Sequence, residues 1–258
     1  MKQKSLWMFA FVCTLAMLAA SAAPASAQDQ TKEKPPMYTY IANWAIPRAQ
    51  WAQMDKDAAA NQAMLEKLVA DGTLVGFGSD INEVHEADGG THDTWWSSMT
   101  MAGILNTLDR LKTSSADLPA LGSATKHWDE IAITRHYNWR PGSYKGAYTR
   151  GAEYQLKPDA PADAIDVLSV NLFVPLFEKL LADGTILEYE IDTQAIHTDN
   201  PLKFTVLFIT PNAEGMDKFD TALRAALKAN PLGTPAFTSM VDFSAHRDEL
   251  ARSIGVYK

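Results

Sequence analysis

Two stretches of this chain are near copies of each other. MLEKLVADGT, Met64 to Thr73, returns as LFEKLLADGT, Leu176 to Thr185, identical at seven of ten positions. Carried outward at a constant offset of 112 residues, the alignment pairs Asp80 with Asp192 and His85 with His197. A period this long exceeds any solenoid unit and predicts a compact domain written twice. The decapeptide itself reads as the end of a helix. Gly72 and Gly184 are placed to supply the left-handed residue that stops a helix, and the following Thr is expected to open a strand. Glu66, Lys67, Glu178 and Lys179 fit a solvated helix face better than a catalytic signature.

Each half repeats the same order of signals. Tyr38, Tyr40, Ala42 and Trp44 alternate as a strand would, and RGAEYQL holds the matching place in the second half. A long amphipathic stretch follows, with Trp51, Met54, Ala58, Leu65, Leu68 and Val69 at helical spacing in one half and Ile165, Leu168, Leu172, Leu176 and Leu180 in the other. Pro175 lies inside the second and predicts a kink. TLVGFGSDINEVHE and TWWSSMTM read as a hairpin, as do TILEYEIDTQAIH and FTVLFIT. A second helix is expected near Ala102 to Leu111 and near Gly215 to Lys228, and a last strand in DEIAITRHYNW and in FTSMVDFSAH.

The order strand, helix, strand, strand, helix, strand is that of the ferredoxin-like split βαβ unit, an α+β arrangement with helices on one face of an antiparallel sheet. Two such sheets in one chain can cover each other by closing into a barrel. In this the chain resembles the dimeric α/β-barrel superfamily in a fused two-domain form. That resemblance implies an intramolecular barrel and a monomer or weak homodimer. It implies no single activity, because the superfamily holds cofactor-free monooxygenases, haem proteins and ligand-binding modules. The expected boundaries are 37–140 for the first unit, 141–147 for a linker and 148–258 for the second.

The N-terminus has the charged, apolar and Ala-x-Ala order of a secretory signal peptide, residues 1–27, followed by a flexible lead-in at 28–36. Its loss takes Lys2, Lys4 and the only cysteine, Cys13, and moves the net charge from −8 to −10. The expected product is periplasmic or secreted, without a disulfide or thiol nucleophile. An acidic chain without a basic run argues against nucleic acid and against anionic membranes as partners.

Six histidines occur, and His136 matches His246 near the ends of the last strands. Strand parity places Ile131, Ile133, Val241 and Phe243 toward the helices. It leaves Thr134, His136, Asp242, Ser244 and His246 on the face that would line a barrel. Glu188, Glu190 and Asp192 alternate with Leu187, Tyr189 and Ile191 and would share that face, unless they sit at an open, solvated sheet edge. His136, His246 and Asp242 are therefore the catalytic candidates. Thr134, Glu188, Glu190, Asp192 and Ser244 join the two histidines as candidate ligand contacts. The expected ligand is a small apolar or aromatic molecule, with cofactor-independent oxidative or isomerising chemistry; a non-enzymatic scaffold or partner-binding module with a filled barrel is the alternative, and a metal- or haem-dependent oxidoreductase a second.

No metal or other cofactor is expected. A site built from His136, His246 and a carboxylate is chemically possible, but no short His spacing supports it. Haem is permitted by TWWSS and several histidines, although Trp95 and Trp96 in a strand fit a core better than cofactor contacts. No G-x-S-x-G, G-x-G-x-x-G or phosphate-loop motif is present.

Overall fold

The computed structural model describes residues 34–85, 89–198 and 200–257; the expected signal peptide and most of the lead-in lie outside them. Lys34–Lys258 makes one compact unit. Its strands are β1 (Met37–Ala45), β2 (Gly76–Asn82), β3 (His92–Ser98), β4 (Lys126–Trp139), β5 (Gly142–Ser143), β6 (Ala147–Leu156), β7 (Glu188–Gln194), β8 (Lys203–Thr210) and β9 (Val241–Tyr257). The order β2-β3-β1-β4-β7-β8-β6-β9 closes on itself because β2 also pairs with β9. The result is a closed antiparallel barrel of eight strands, with β5 appended to β9. Closure removes the sheet edges, so β7 is flanked by β4 and β8 and its carboxylates are not at an open rim.

Helices cover the outside: α1 (Trp51–Ala60), α2 (Gln62–Ala70), α3 (Met101–Lys112) and α4 (Pro119–Gly122) in the first half, and α5 (Ala164–Leu168), α6 (Val174–Asp183), α7 (Ala213–Ala229) and α8 (Gly233–Met240) in the second. Tyr40, Trp96, Phe77, Leu68 and Ile104 form the helix–sheet core of the first half. Phe177, Tyr189, Phe204, Phe208 and Phe219 do so in the second. The expected amphipathic runs are each interrupted. The first breaks at Asn61, between α1 and α2. In the second, a π-helical turn at Ser169–Phe173 precedes Pro175, whose ring and missing N–H cannot be fitted to an unbroken α-helical ladder.

The repeated decapeptide ends a helix in both places. Gly72 and Gly184 both have φ of +80°. Leu74 N–H reaches Leu68 O at 3.0 Å and Ile186 N–H reaches Leu180 O at 3.2 Å, while Asp71 and Asp183 accept from Thr73 and Thr185 N–H. The strands begin three residues after each Thr rather than at it, because Leu74 and Ile186 are first buried as plugs beneath the helices.

The next helix also starts alike in both halves. Thr100 and Asn212 cap α3 and α7 by accepting from Gly103 and Gly215 N–H, each at 3.0 Å. A Cβ on Gly103 would lie 2.9 Å from Thr73 O, and one on Gly215 would lie 3.1 Å from Thr185 O.

Several boundaries differ from expectation. Phe237 to Met240 belong to α8, so the last strand starts at Val241 and runs 17 residues. The expected linker 141–147 is a plug. β5 pairs with β9, and Tyr144, 3% exposed, packs with Trp95, Ala147 and Ile209 at one end of the barrel. At the end of the lead-in, Lys34 Nζ donates to Tyr137 O at 2.6 Å and Tyr137 Oη to Pro35 O at 2.8 Å, which ties down that stretch.

Candidate functional site

Strand alternation sends one side chain in two toward the barrel axis, and here those side chains are largely polar. A cavity of about 950 Å³ occupies the interior, lined from all eight barrel strands. Its floor is apolar: Ile41, Trp95, Leu207 and Ile209 line it above the plug formed with Tyr144 and Trp139. Above the floor stand two groups of carboxyls.

On one wall Glu190 and Asp192 are buried, and Thr134 donates a short hydrogen bond to Asp192 from the neighbouring strand; Glu188, opposite the floor residue Ile209, is fully buried and lies outside the cavity lining. Burial raises the Asp192 pKa to about 6, against the pull of the Thr134 hydroxyl. Glu190 is pushed well above the ordinary carboxyl range by burial and by the charges of Asp192 and Glu188.

The opposite wall carries Asp80 and Asp93, cross-strand partners on β2 and β3. Trp95 Nε1 donates to Asp80 at 2.9 Å, and Thr149 lies 3.4 Å away on β6. Burial raises both pKa values. Asp93 rises further because Asp80 and Glu249 add like charge. Toward the mouth, Lys203 spans Glu153 at 2.7 Å and Glu130 at 3.7 Å.

Of the four residues expected on this face, Glu190 and Asp192 line the cavity, while Glu188 and Thr134 are fully buried beside it and are not among its lining residues. The two histidines are placed differently. β4 carries a bulge between Thr134 and His136, and one extra residue reverses the facing of every side chain beyond it. Tyr137 and Trp139 turn inward, while His136 turns out and its Nε2–H meets Asp166 of α5 at 3.0 Å. β9 is irregular at the corresponding place, opposite Glu153 to Gln155. His246 consequently stacks on the outward-facing Tyr154, with ring centroids 4.4 Å apart, and its Nδ1–H donates to Glu153 O.

Asp242 does not orient that ring. It accepts from Ser244 N–H and Oγ–H in a local turn, and Asp248, 3.4 Å from Nε2, is the carboxylate beside His246. Ser244 reaches the cavity rim. Among the described residues no group of three or more His, Cys, Asp or Glu is gathered to hold a metal ion, and the His136, His246 and carboxylate set is not assembled.

Sequence reasoning missed the Asp80–Asp93 wall, Lys203 with its two glutamates, and Gln194. The signal for Asp80 was present, since it aligns with Asp192 at the repeat offset. In GFGSDIN, however, the inward positions are Gly76, Gly78, Asp80 and Asn82, and the glycines hide the alternation. Arg140 belongs to the scaffold: its guanidinium donates to Leu181 O and Ala182 O at the end of α6.

A second cavity, about 680 Å³, lies in the first half between helices and sheet, among core side chains such as Tyr40, Leu65, Phe77 and Trp96. It holds none of the carboxyl pairs.

No family model and no curated protein matches the sequence. Solved structures do match in fold. A monooxygenase-type protein from Lactobacillus acidophilus NCFM superposes with a TM-score of 0.61 at 15% identity, covering 87% of this chain and 97% of its own. One from Fusobacterium nucleatum subsp. nucleatum gives 0.58 at 9% identity, over 86% and 94%. An anthrone oxidase-like protein gives 0.51 at 10%, over 87% and 94%. At these identities the likeness is one of fold: the chain is a mixed α+β protein with a closed eight-stranded barrel, and its structural neighbours are monooxygenase-type proteins of the dimeric α+β-barrel kind.

Proposed function

We propose that this chain is an exported barrel protein that binds a small, partly apolar molecule in its interior and oxidises it without a cofactor. The cavity carries the reading. A filled barrel would serve a scaffold equally well, whereas 950 Å³ with an apolar floor and a few convergent polar groups has the dimensions and chemistry of a ligand site. The names of the superposing structures support the oxidative part.

In such chemistry the substrate gives a proton to a carboxylate and its own electrons to dioxygen: a CH2 group and O2 become C=O and H2O. Asp192, with a pKa near 6, is ionised at neutral pH and is basic enough to take part in that proton transfer. His136 instead pairs with Asp166 of α5, and His246 stacks on Tyr154.

We infer as well that the two halves are tandem copies of one βαββαβ unit. The matching helix ends at Gly72 and Gly184, the matching caps at Thr100 and Asn212, and the same strand order in each half support this. The leader at 1–27 supports export, and closure of the barrel within one chain supports a monomer or weak homodimer.

Anthrone tests the activity. The expected result is anthraquinone with one O2 consumed per molecule formed, unaffected by a chelator and lost in Asp192→Asn. Anthrone left unchanged at rates above the uncatalysed control would overturn the oxidative part. For the binding part, native mass spectrometry of protein purified from its host should show a retained small molecule that Ile41→Trp, which fills the cavity floor, excludes. Mass spectra of both proteins without any ligand would overturn it.

A further inference from the structure

We propose that the barrel cavity selects small organic cations, molecules that join an ammonium group to an apolar or aromatic body. The inference rests on the cavity being the ligand site and adds the chemical class it takes.

Three independent features converge on that class. The floor, Ile41 with Trp95, Leu207 and Ile209, offers an apolar and partly aromatic bed. The walls are acidic: among the described residues nine carboxyl side chains and two basic ones line the cavity, and one of those two, Lys203, already bridges Glu130 and Glu153. Partial protonation of the carboxyls still leaves the interior negative, and a closed barrel with low-dielectric walls concentrates that potential.

The third feature is Gln194. It follows Glu188, Glu190 and Asp192 along the inward face of β7, is 8% exposed, and neither its amide nitrogen nor its amide oxygen has a hydrogen-bond partner among the described residues. A buried amide left unpaired costs about 1–3 kcal/mol. Its oxygen is matched by an N–H donor and its NH2 by an oxygen on the same ligand. An ammonium satisfies the amide oxygen and the carboxylates together. A carboxylate-bearing ligand would satisfy only the NH2, against the charge of the walls.

A cation among these groups also favours their ionised forms, so binding should lower the proton occupancy of Glu190 and Asp93, whose pKa values burial and like charge raise.

Three isosteres that differ in charge at pH 7 test the proposal on the full mature chain: tyramine (cation), tyrosol (neutral) and 4-hydroxyphenylacetate (anion). They are titrated calorimetrically in phosphate and in Tris. Tyramine should bind at least about tenfold more tightly than tyrosol, 4-hydroxyphenylacetate should not bind, and the two buffers should reveal proton release with tyramine alone. Gln194→Leu, which replaces the unpaired amide with an apolar group of similar size, should raise the melting temperature and weaken tyramine about tenfold. A residue with only a packing role would lower the melting temperature and leave tyramine binding intact.

Tyrosol or 4-hydroxyphenylacetate binding as tightly as tyramine would overturn the charge class. If that binding is lost in Ile41→Trp, the cavity itself remains the ligand site. Absence of binding by all three would also overturn the proposal, and the mass spectra described above then decide the cavity reading separately.

Discussion

Asp80 and Asp192 occupy the same place on the two strands where the halves of the barrel meet. Asp192 on β7 stands opposite Thr134 of β4, and Asp80 on β2 stands opposite Ser253 of β9. Each carboxyl from one half is thus faced by a hydroxyl-bearing residue from the other. Both are buried, and both have raised pKa values because burial disfavours the charge.

That burial sets a pH dependence. The folded pKa of Asp192, about 6, lies above its unfolded value of about 3.9, so the folded state holds a proton that the unfolded state releases between them. The contribution to stability is fully present below about pH 4 and is lost as pH rises through 6; a shift of about two units corresponds to about 3 kcal/mol. Urea unfolding of the wild type and of Asp192→Asn at pH 5 and pH 8 should show the variant gaining on the wild type at the higher pH. An equal difference at both pH values would refute the assignment.

The helix ends built by the decapeptide should be sensitive to a single methyl group. At Gly184, φ is +80°, and an added Cβ would also meet the Arg140 guanidinium at 3.4 Å. Gly184→Ala should cost about 1 kcal/mol, and Gly72→Ala, at the same φ, a similar amount. Chemical denaturation measures both. Neither should change ligand binding, because the decapeptide is scaffold.

Gly103 and Gly215 pose a different constraint. Their obstacle is the close approach of α3 to Ser98 and the Thr73 carbonyl, and of α7 to Thr210 and the Thr185 carbonyl. Alanine at either position forces the helix away from the strand end and should lower stability by about 1–3 kcal/mol. Equal sensitivity at the two positions, read from denaturation midpoints, is the expected outcome.

The histidines should behave as scaffold too. His246→Ala removes the stack on Tyr154 and should lower stability by about 1 kcal/mol. His136→Ala removes a half-exposed pair with Asp166 and should cost less. Tyramine affinity of the double variant, measured as for the wild type, should be unchanged. A large loss of affinity with the fold intact would return these residues to the site.

The sequence by itself determined what depends on neighbours along the chain. Helix ends at Gly72 and Gly184, the antiparallel pairing of β2 with β3 and of β7 with β8, and the order of elements follow from local backbone preference and hydrophobic period, and all are found in the structure. The inward face of β7 was legible for the same reason, since Glu188, Glu190 and Asp192 alternate without interruption between apolar residues. Tertiary structure decided what depends on register between distant strands. Arg135 continues an unbroken strand pattern, and only pairing with β7 leaves it as the extra residue that turns His136 outward. The pairing of β2 with β9 brings the Asp80 wall opposite Ser253, and the fit of Tyr144 into the barrel end converts a linker into a floor. Alternation along a strand specifies two faces; which face becomes the interior, and where a bulge exchanges them, is set by contacts between residues far apart in the chain.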